Sequence, residues 1–303
     1  MSLLFKHAIV ALDLSEASDL IVSCVPHLKK FGLKKVTLVN VAPIPYSTKR
    51  SEFNTKKNEE SLEAYKKQLE GDGFEVDTEV RSGTHYYPPT EVIEAAHERD
   101  ADFIVIGNRG HSKVQELLMG STATEVLHRS DLPVYLINME VEWFDEDVEN
   151  RKLVLGMSHE KSLQHVMHPT DFSQNANRAF EVVRNLDKEG LIGKISLVHV
   201  LGHHAIALKD PVSRDELTRQ TEQILDELRD QLSDKTRENS SIYITFGTPA
   251  KEIVTAAEEN DATMLVMGSQ GKGFVERFFI GGVSNQVTRL SKIPILLVPA
   301  ERD

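Results

Sequence analysis

An internal duplication runs through this chain. Asp13, in Ala-Leu-Asp-Leu-Ser, is matched by Asp171, in Pro-Thr-Asp-Phe-Ser, at an offset of 158 residues. Val39-Asn40-Val41 is matched by Val198-His199-Val200 at 159. Gly107, Gly110, Gly120 and Pro133 are matched by Gly268, Gly271, Gly281 and Pro294, all at 161. Gly83-Thr84 matches Gly247-Thr248 at 164, and Pro88 matches Pro249 at 161, so the step of three is His85-Tyr86-Tyr87, present only in the first half. So steady an offset marks two copies of one domain. A chain of 303 residues suits two domains of about 150 residues, each able to bury its own core.

Each half alternates strand and helix. In the first, short apolar, β-branched runs at 7–12 and 36–41 flank an amphipathic stretch over 16–31 that ends at Gly32. A long polar helix is predicted over 52–70, stopped by Gly71-Asp72-Gly73, then a strand at 75–81, a helix at 90–98 and a strand at 103–106. A glycine-rich loop, a helix at 121–129 and a strand at 134–138 close the half. The second half repeats this with strands near 164–168, 194–200, 242–246, 264–267 and 295–298. Such alternation predicts a parallel sheet covered on both faces. The expected division is 1–140, an acidic connector over 141–162, and 163–303; Trp143-Phe144 is expected to pin the connector to a surface.

Charge and cysteine usage narrow the function classes. With 35 Lys and Arg against 47 Asp and Glu, the net charge is −12, whereas nucleic-acid binding needs clustered cations. The short basic run over 49–57 is interrupted by Glu52 and reads as a solvated loop. No apolar run reaches the roughly 20 residues of a membrane span, and no cleavable leader is read at the start, so a cytoplasmic location is expected. A single cysteine, Cys24, excludes intramolecular disulfides and reads as a structural thiol in the first helix.

The chemistry lies in Gly107-Asn-Arg-Gly110, nine residues, then Gly120-Ser121. This loop follows a strand and opens a helix, as a phosphate site requires. Glycines let backbone approach a ligand closely. The N–H groups at the start of the helix, near Gly120 to Ala123, lack partners and favour an anion. Ser121 offers a hydroxyl, Arg109 or His111 a cation. Asp13 would sit on the same carboxyl edge of the sheet, where ligands of open α/β sheets bind, and could accept from a ribose hydroxyl or an adenine amine. For an isolated glycine pair the ordinary explanation is a tight turn with a helix cap, and Asp13 or Asp171 could be a turn residue. Here strand, spacing, helix and aspartate agree.

On these residues the chain resembles the universal stress protein family in its tandem form. The motifs are Asp13-Leu-Ser15 and Asp171-Phe-Ser173, the G-x2-G-x9-G-[S/T] loop, and the proline of the last strand in Leu132-Pro133-Val134 and Ile293-Pro294-Ile295. The resemblance implies two doubly wound, flavodoxin/Rossmann-like domains, each a five-stranded parallel sheet of order 3-2-1-4-5. It further implies an internal pseudo-dimer joined through the last strands, 134–137 and 295–298, with a homodimer of chains as a further possibility. Members with the glycine pattern bind ATP, which implies Asp13, Val41, Gly107, Arg109, Gly110, Gly120, Ser121 and Thr122 as the first site. The equivalents are Asp171, Val200, Gly268, Gly271, Gly281, Gly282 and Ser284. The expected ligand is ATP or another adenine nucleotide, with or without Mg²⁺.

The halves differ at that site. Gly282 stands where Ser121 does, and Gln270 where Arg109 does. One lost hydroxyl bond costs about 0.5–1.5 kcal/mol, a roughly three- to tenfold weakening. Ser284 and Lys272 are candidate replacements. The first site is therefore expected to be the better occupied, with the insertion 85–87 either covering or obstructing it. His165, His168, His199, His203 and His204 invite a zinc reading, but a family histidine on the second strand and a loop pair explain them better. No G-x4-G-K-[S/T], H-E-x-x-H or G-x-S-x-G motif occurs, so no catalytic residues are expected and ATP hydrolysis is at most slow. Three functions compete: a non-catalytic ATP-binding stress regulator, a nucleotide-free chaperone-like scaffold, and an adenylate-chemistry enzyme. The first is preferred, and its protein partner is unknown.

Overall fold

A computed structural model describes residues 5–44, 54–83, 86–110, 119–143, 151–202, 211–271 and 280–301. The chain divides into two compact units, Leu4–Gly156 and Met157–Asp303. In the first, strands β1 (His7–Ala11), β2 (Lys35–Pro43), β3 (Glu75–Gly83), β4 (Phe103–Gly107) and β5 (Val134–Ile137) are all parallel, in the order β3-β2-β1-β4-β5. Every residue of β1, β4 and β5 is buried, as expected of parallel strands covered by helices on both faces. Those helices are α1 (Glu16–Cys24), α2 (Lys56–Gly71), α3 (Pro88–Glu98) and α4 (Ser121–Arg129).

The predicted helix over 16–31 is two elements. α1 ends at Cys24, and Val25–Phe31 continues as 3₁₀ turns, because Pro26 lacks the N–H an α-helical ladder needs. Gly32 stops it in the left-handed region at φ 98°. Cys24 is fully buried, and burial pushes its thiol up to about 12, which leaves it unreactive.

The segment expected to be a connector folds in part. Strands β6 (Met139–Trp143) and β7 (Arg151–Leu155) form an antiparallel pair within the first unit. Met-Glu-Val-Glu-Trp alternates with period two, the pattern of a half-buried strand, within a segment whose acidic residues give it the composition of a connector. Trp143 keeps 39% of its surface exposed, and Phe144 lies outside the described residues.

The second unit repeats the first. Strands β8 (His165–Pro169), β9 (Lys194–Leu201), β10 (Ser240–Phe246), β11 (Met264–Gly268) and β12 (Ile295–Val298) are parallel in the order β10-β9-β8-β11-β12. The helices are α5 (Gln174–Lys188), α6 (Pro211–Arg229), α7 (Asp234–Glu238), α8 (Pro249–Glu259) and α9 (Gly282–Leu290). Numbered within their own unit, both sheets read 3-2-1-4-5. The duplication reaches buried polar pairs: His7 Nε2 lies 2.9 Å from Thr37 Oγ1, and His165 Nε2 lies 2.7 Å from Ser196 Oγ. Burial lowers the pKa of both rings.

Candidate functional site

In each unit the strand order reverses between the first strand and the fourth, so a crevice opens at their carboxyl ends. The turn after β1 is built by Asp13. Its Oδ1 accepts from the Ser15 N–H at 3.0 Å and the Ser15 hydroxyl at 2.6 Å. Leu14 between them is left-handed, at φ 62°, and Ser15 caps α1. The second copy repeats the turn, with Asp171 Oδ1 accepting from Ser173 N–H at 3.0 Å and Phe172 at φ 61°. A bulky residue held left-handed costs about 1–2 kcal/mol; keeping it twice shows that the aspartate's placement outweighs local strain. The turn-residue explanation for Asp13 and Asp171 therefore holds for one oxygen of each carboxylate.

The other oxygen faces the glycine loop. A Cβ on Gly110 would collide with Asp13 Oδ2, and one on Gly271 would stand 2.5 Å from Asp171 Oδ2. Glycine is needed there because the carboxylate fills the space of a side chain. The loop is closed by backbone bonds, Gly120 N–H to the Asn108 carbonyl at 2.8 Å and Gly281 N–H to the Ser269 carbonyl at 2.7 Å. Gly120 and Gly281 are the N-cap residues of α4 and α9, and among the described residues neither helix start has a side-chain cap. The first-turn N–H groups are thus left for another acceptor.

All eight residues expected at the first site line one cavity of about 560 Å³: Asp13, Val41, Gly107, Arg109, Gly110, Gly120, Ser121 and Thr122. The seven of the second, Asp171, Val200, Gly268, Gly271, Gly281, Gly282 and Ser284, line another of about 280 Å³. Asn40, Asn58, Pro88 and Val92, none of them expected at the site, also line the first. Asn40 is buried; its Nδ2 donates to the Leu12 carbonyl at 2.9 Å and its Oδ1 accepts from Asn58 Nδ2 at 2.8 Å. Asn58 brings the first turn of α2 to the cavity, and a polar residue on a largely polar helix gave no signal of this. Tyr86 lies across Gly83 and, like Tyr87, does not line the cavity among the described residues. Thr84, His85, His111 and residues 49–53 lie outside the described residues.

The two cavities differ in chemistry as well as size. In the second, His199 takes the place of Asn40: its Nδ1 lies 2.8 Å from the Thr170 carbonyl, and its ring stacks on Phe172 at 4.5 Å and 14°. Gln270 lines the wall where Arg109 lines the first. The Ser284 hydroxyl donates to the Gly268 carbonyl at 2.9 Å, so it reaches a ligand only as an acceptor unless that bond breaks. Lys272 lies outside the described residues. For the zinc reading, His165, His168 and His199 bond to Ser196, Val266 and Thr170 respectively. Among the described residues no group of three possible ligands forms, and His203 and His204 lie outside them. Among the described residues, no helix is long and apolar enough to cross a membrane.

Comparison with known proteins agrees with this architecture. A model of the universal stress protein family matches residues 4–138 and again 162–299. A universal stress protein of Methanocaldococcus jannaschii is 26% identical over 152 residues, 44% of this chain and 93% of its own. One from Mycobacterium tuberculosis is 24% identical over 228 residues, 75% of this chain and 74% of its own. Among solved structures, a universal stress protein from Archaeoglobus fulgidus superposes with a TM-score of 0.71 at 27% identity, over 99% of both chains.

Proposed function

The chain belongs to the universal stress protein family, and from that premise we propose that its first cavity binds ATP or a related adenine nucleotide in a non-catalytic, regulatory role. The observation that carries this reading is the convergence of Asp13, the Gly107–Gly110 turn, Arg109 and the uncapped start of α4 on one cavity of about 560 Å³. A helix start and a cation suit phosphates, and a carboxylate suits a ribose hydroxyl or base amine. Among the described lining residues Asp13 is the one acidic group and has no second carboxylate beside it, which supports the non-catalytic reading. Purified protein should release an adenine nucleotide on denaturation, identified by absorbance and mass. Failing that, added ATP at a hundred times its Kd should stabilise the fold by about 2.7 kcal/mol. A protein that releases no nucleotide and does not respond to ATP would sink the reading.

The second cavity is the weaker site of the same kind. Gly282→Ser restores the missing hydroxyl at the first position of α9, where an added Cβ meets nothing within 4 Å. With the first cavity disabled, this variant is expected to bind ATP roughly three- to tenfold more tightly than its parent, as read by calorimetric titration. An unchanged or weaker affinity would mean that the hydroxyl is not what the second site lacks.

A further inference from the structure

The hairpin strand β6 is bonded directly to the glycine loop of the first cavity. Met139, its first residue, donates its N–H to Asn108 Oδ1 at 2.9 Å. The Met139 carbonyl accepts from Asn108 Nδ2 at 3.3 Å and from Arg109 Nε at 3.1 Å. Its side-chain methyl fills the space that a Cβ on Gly107 would need, and Met139 is only 1% exposed. Three successive loop residues, 107, 108 and 109, are therefore seated on one hairpin residue. Asn108 does what a paired strand would do, giving and taking one bond with the backbone of the same residue. The corresponding loop residues of the second unit are Ser269 and Gln270; Ser269 Oγ accepts from the N–H of Ala300, the counterpart of Met139 at the same offset of 161, at 3.2 Å, but a serine has no amide to return a bond to that residue's carbonyl.

The consequence falls on Arg109. An arginine side chain carries much rotamer freedom, and its planar fork loses less of it per bond when it is held in place beforehand. Here Nε is engaged by the hairpin while the side chain lines the cavity, so the fork's plane is set before a ligand arrives. We propose that Asn108 and the Met139 backbone are positioning residues for Arg109, and that the seating of the hairpin sets the phosphate-dependent part of nucleotide affinity. This rests on the nucleotide reading of the first cavity. The nucleotide reading puts base and ribose at the edge near Asp13 and Val41, residues that make none of the clamp's bonds.

The test compares ATP with adenosine on the full chain carrying Asn108→Ser, Arg109→Gln or both. Asn108→Ser is expected to weaken ATP about tenfold, the scale of a lost preorganised contact, and to leave adenosine within twofold. The double variant should bind ATP no more weakly than Arg109→Gln, because both act through one guanidinium. Loss of ATP and adenosine affinity in parallel, multiplicative effects of the two changes, or no effect on ATP would each overturn the proposal. A second readout is independent of nucleotide: the Arg109 Nε–H resonance, identified by its absence in Arg109→Gln, should be protected in the native protein and lost in Asn108→Ser. Its persistence in that variant overturns the clamp even if ATP weakens. A native protein that binds no ATP overturns the cavity reading, and the proposal with it, whereas ATP binding indifferent to Asn108 overturns the proposal alone.

Discussion

Arg81→Met is expected to destabilise the first unit by about 3–5 kcal/mol, the cost of removing one partner from a buried ion pair. The Arg81 side chain is 10% exposed, with Glu79 at 2.7 Å and Glu91 at 3.1 Å, and Glu98 also bonded to it. Glu91 is likewise 10% exposed at its side chain, so a neutral replacement strands its carboxylate away from water. Burial alone would raise the pKa of Glu79, but hydrogen bonds from Arg81 and Arg99 hold it below the usual carboxylate value. That contribution is present above about pH 4.5 and is lost as pH falls below it. Glu91 and Glu98 lie on α3, and Pro88 and Val92 of the same helix line the first cavity. The melting temperature should fall by roughly 10 °C, and ATP affinity should fall with it. Arg99→Ala, at a side chain 41% exposed, is the control and should cost under about 1 kcal/mol. If Arg81→Met costs as little as Arg99→Ala, the network contributes no more than a surface pair.

The second large effect is acid sensitivity of the second unit through His168. This ring is fully buried at β8, and its Nδ1 lies 2.8 Å from the Val266 carbonyl. A carbonyl only accepts, so Nδ1 carries the proton, and Nε2 has no hydrogen-bond partner among the described residues. Burial pushes its pKa down to about 4, outweighing the Val266 bond and the nearby Asp171 charge. An unfolded histidine titrates near 6.5. The stability from keeping the ring neutral is therefore complete above pH 6.5 and is lost as pH falls towards 4, by about 3 kcal/mol in total and about 2 kcal/mol by pH 5. His165, whose pKa burial also lowers, adds in the same direction. Urea unfolding at pH 7.5 and pH 5.0 should show that difference in the native protein and most of it gone in His168→Gln. An equal drop in the variant would assign the acid sensitivity to other groups.

The fold was legible because duplication and strand–helix alternation each carry a physical constraint over many residues. The offset between Asp13 and Asp171 stays close to that between Gly107 and Gly268, and both sheets have the strand order that the family resemblance implied. The residues that line the first cavity were legible where the backbone itself makes the site: Gly110 beside Asp13, and Gly120 at the start of α4. What escaped the sequence depends on side chains meeting across distant elements. Asn58 reaches Asn40 from another element, and Arg81 gathers carboxylates from β3 and α3. Asn108 meets Met139 because β5, paired in register with β4, runs directly into β6 beside the loop. Of these only β6 left a trace, its Met-Glu-Val-Glu-Trp alternation, in a segment whose acidic character pointed to a connector.

Calorimetric titration of the full chain with ATP, comparing Gly110→Val with Gly271→Val, separates the two cavities. Valine at 110 drives a side chain into Asp13 Oδ2, and valine at 271 does the same to Asp171 Oδ2, so each variant displaces one carboxylate from one cavity. One dominant ATP site is expected, abolished by Gly110→Val and retained with near-native affinity in Gly271→Val. Absence of ATP binding by the native protein, or loss of the dominant site in Gly271→Val alone, would contradict it.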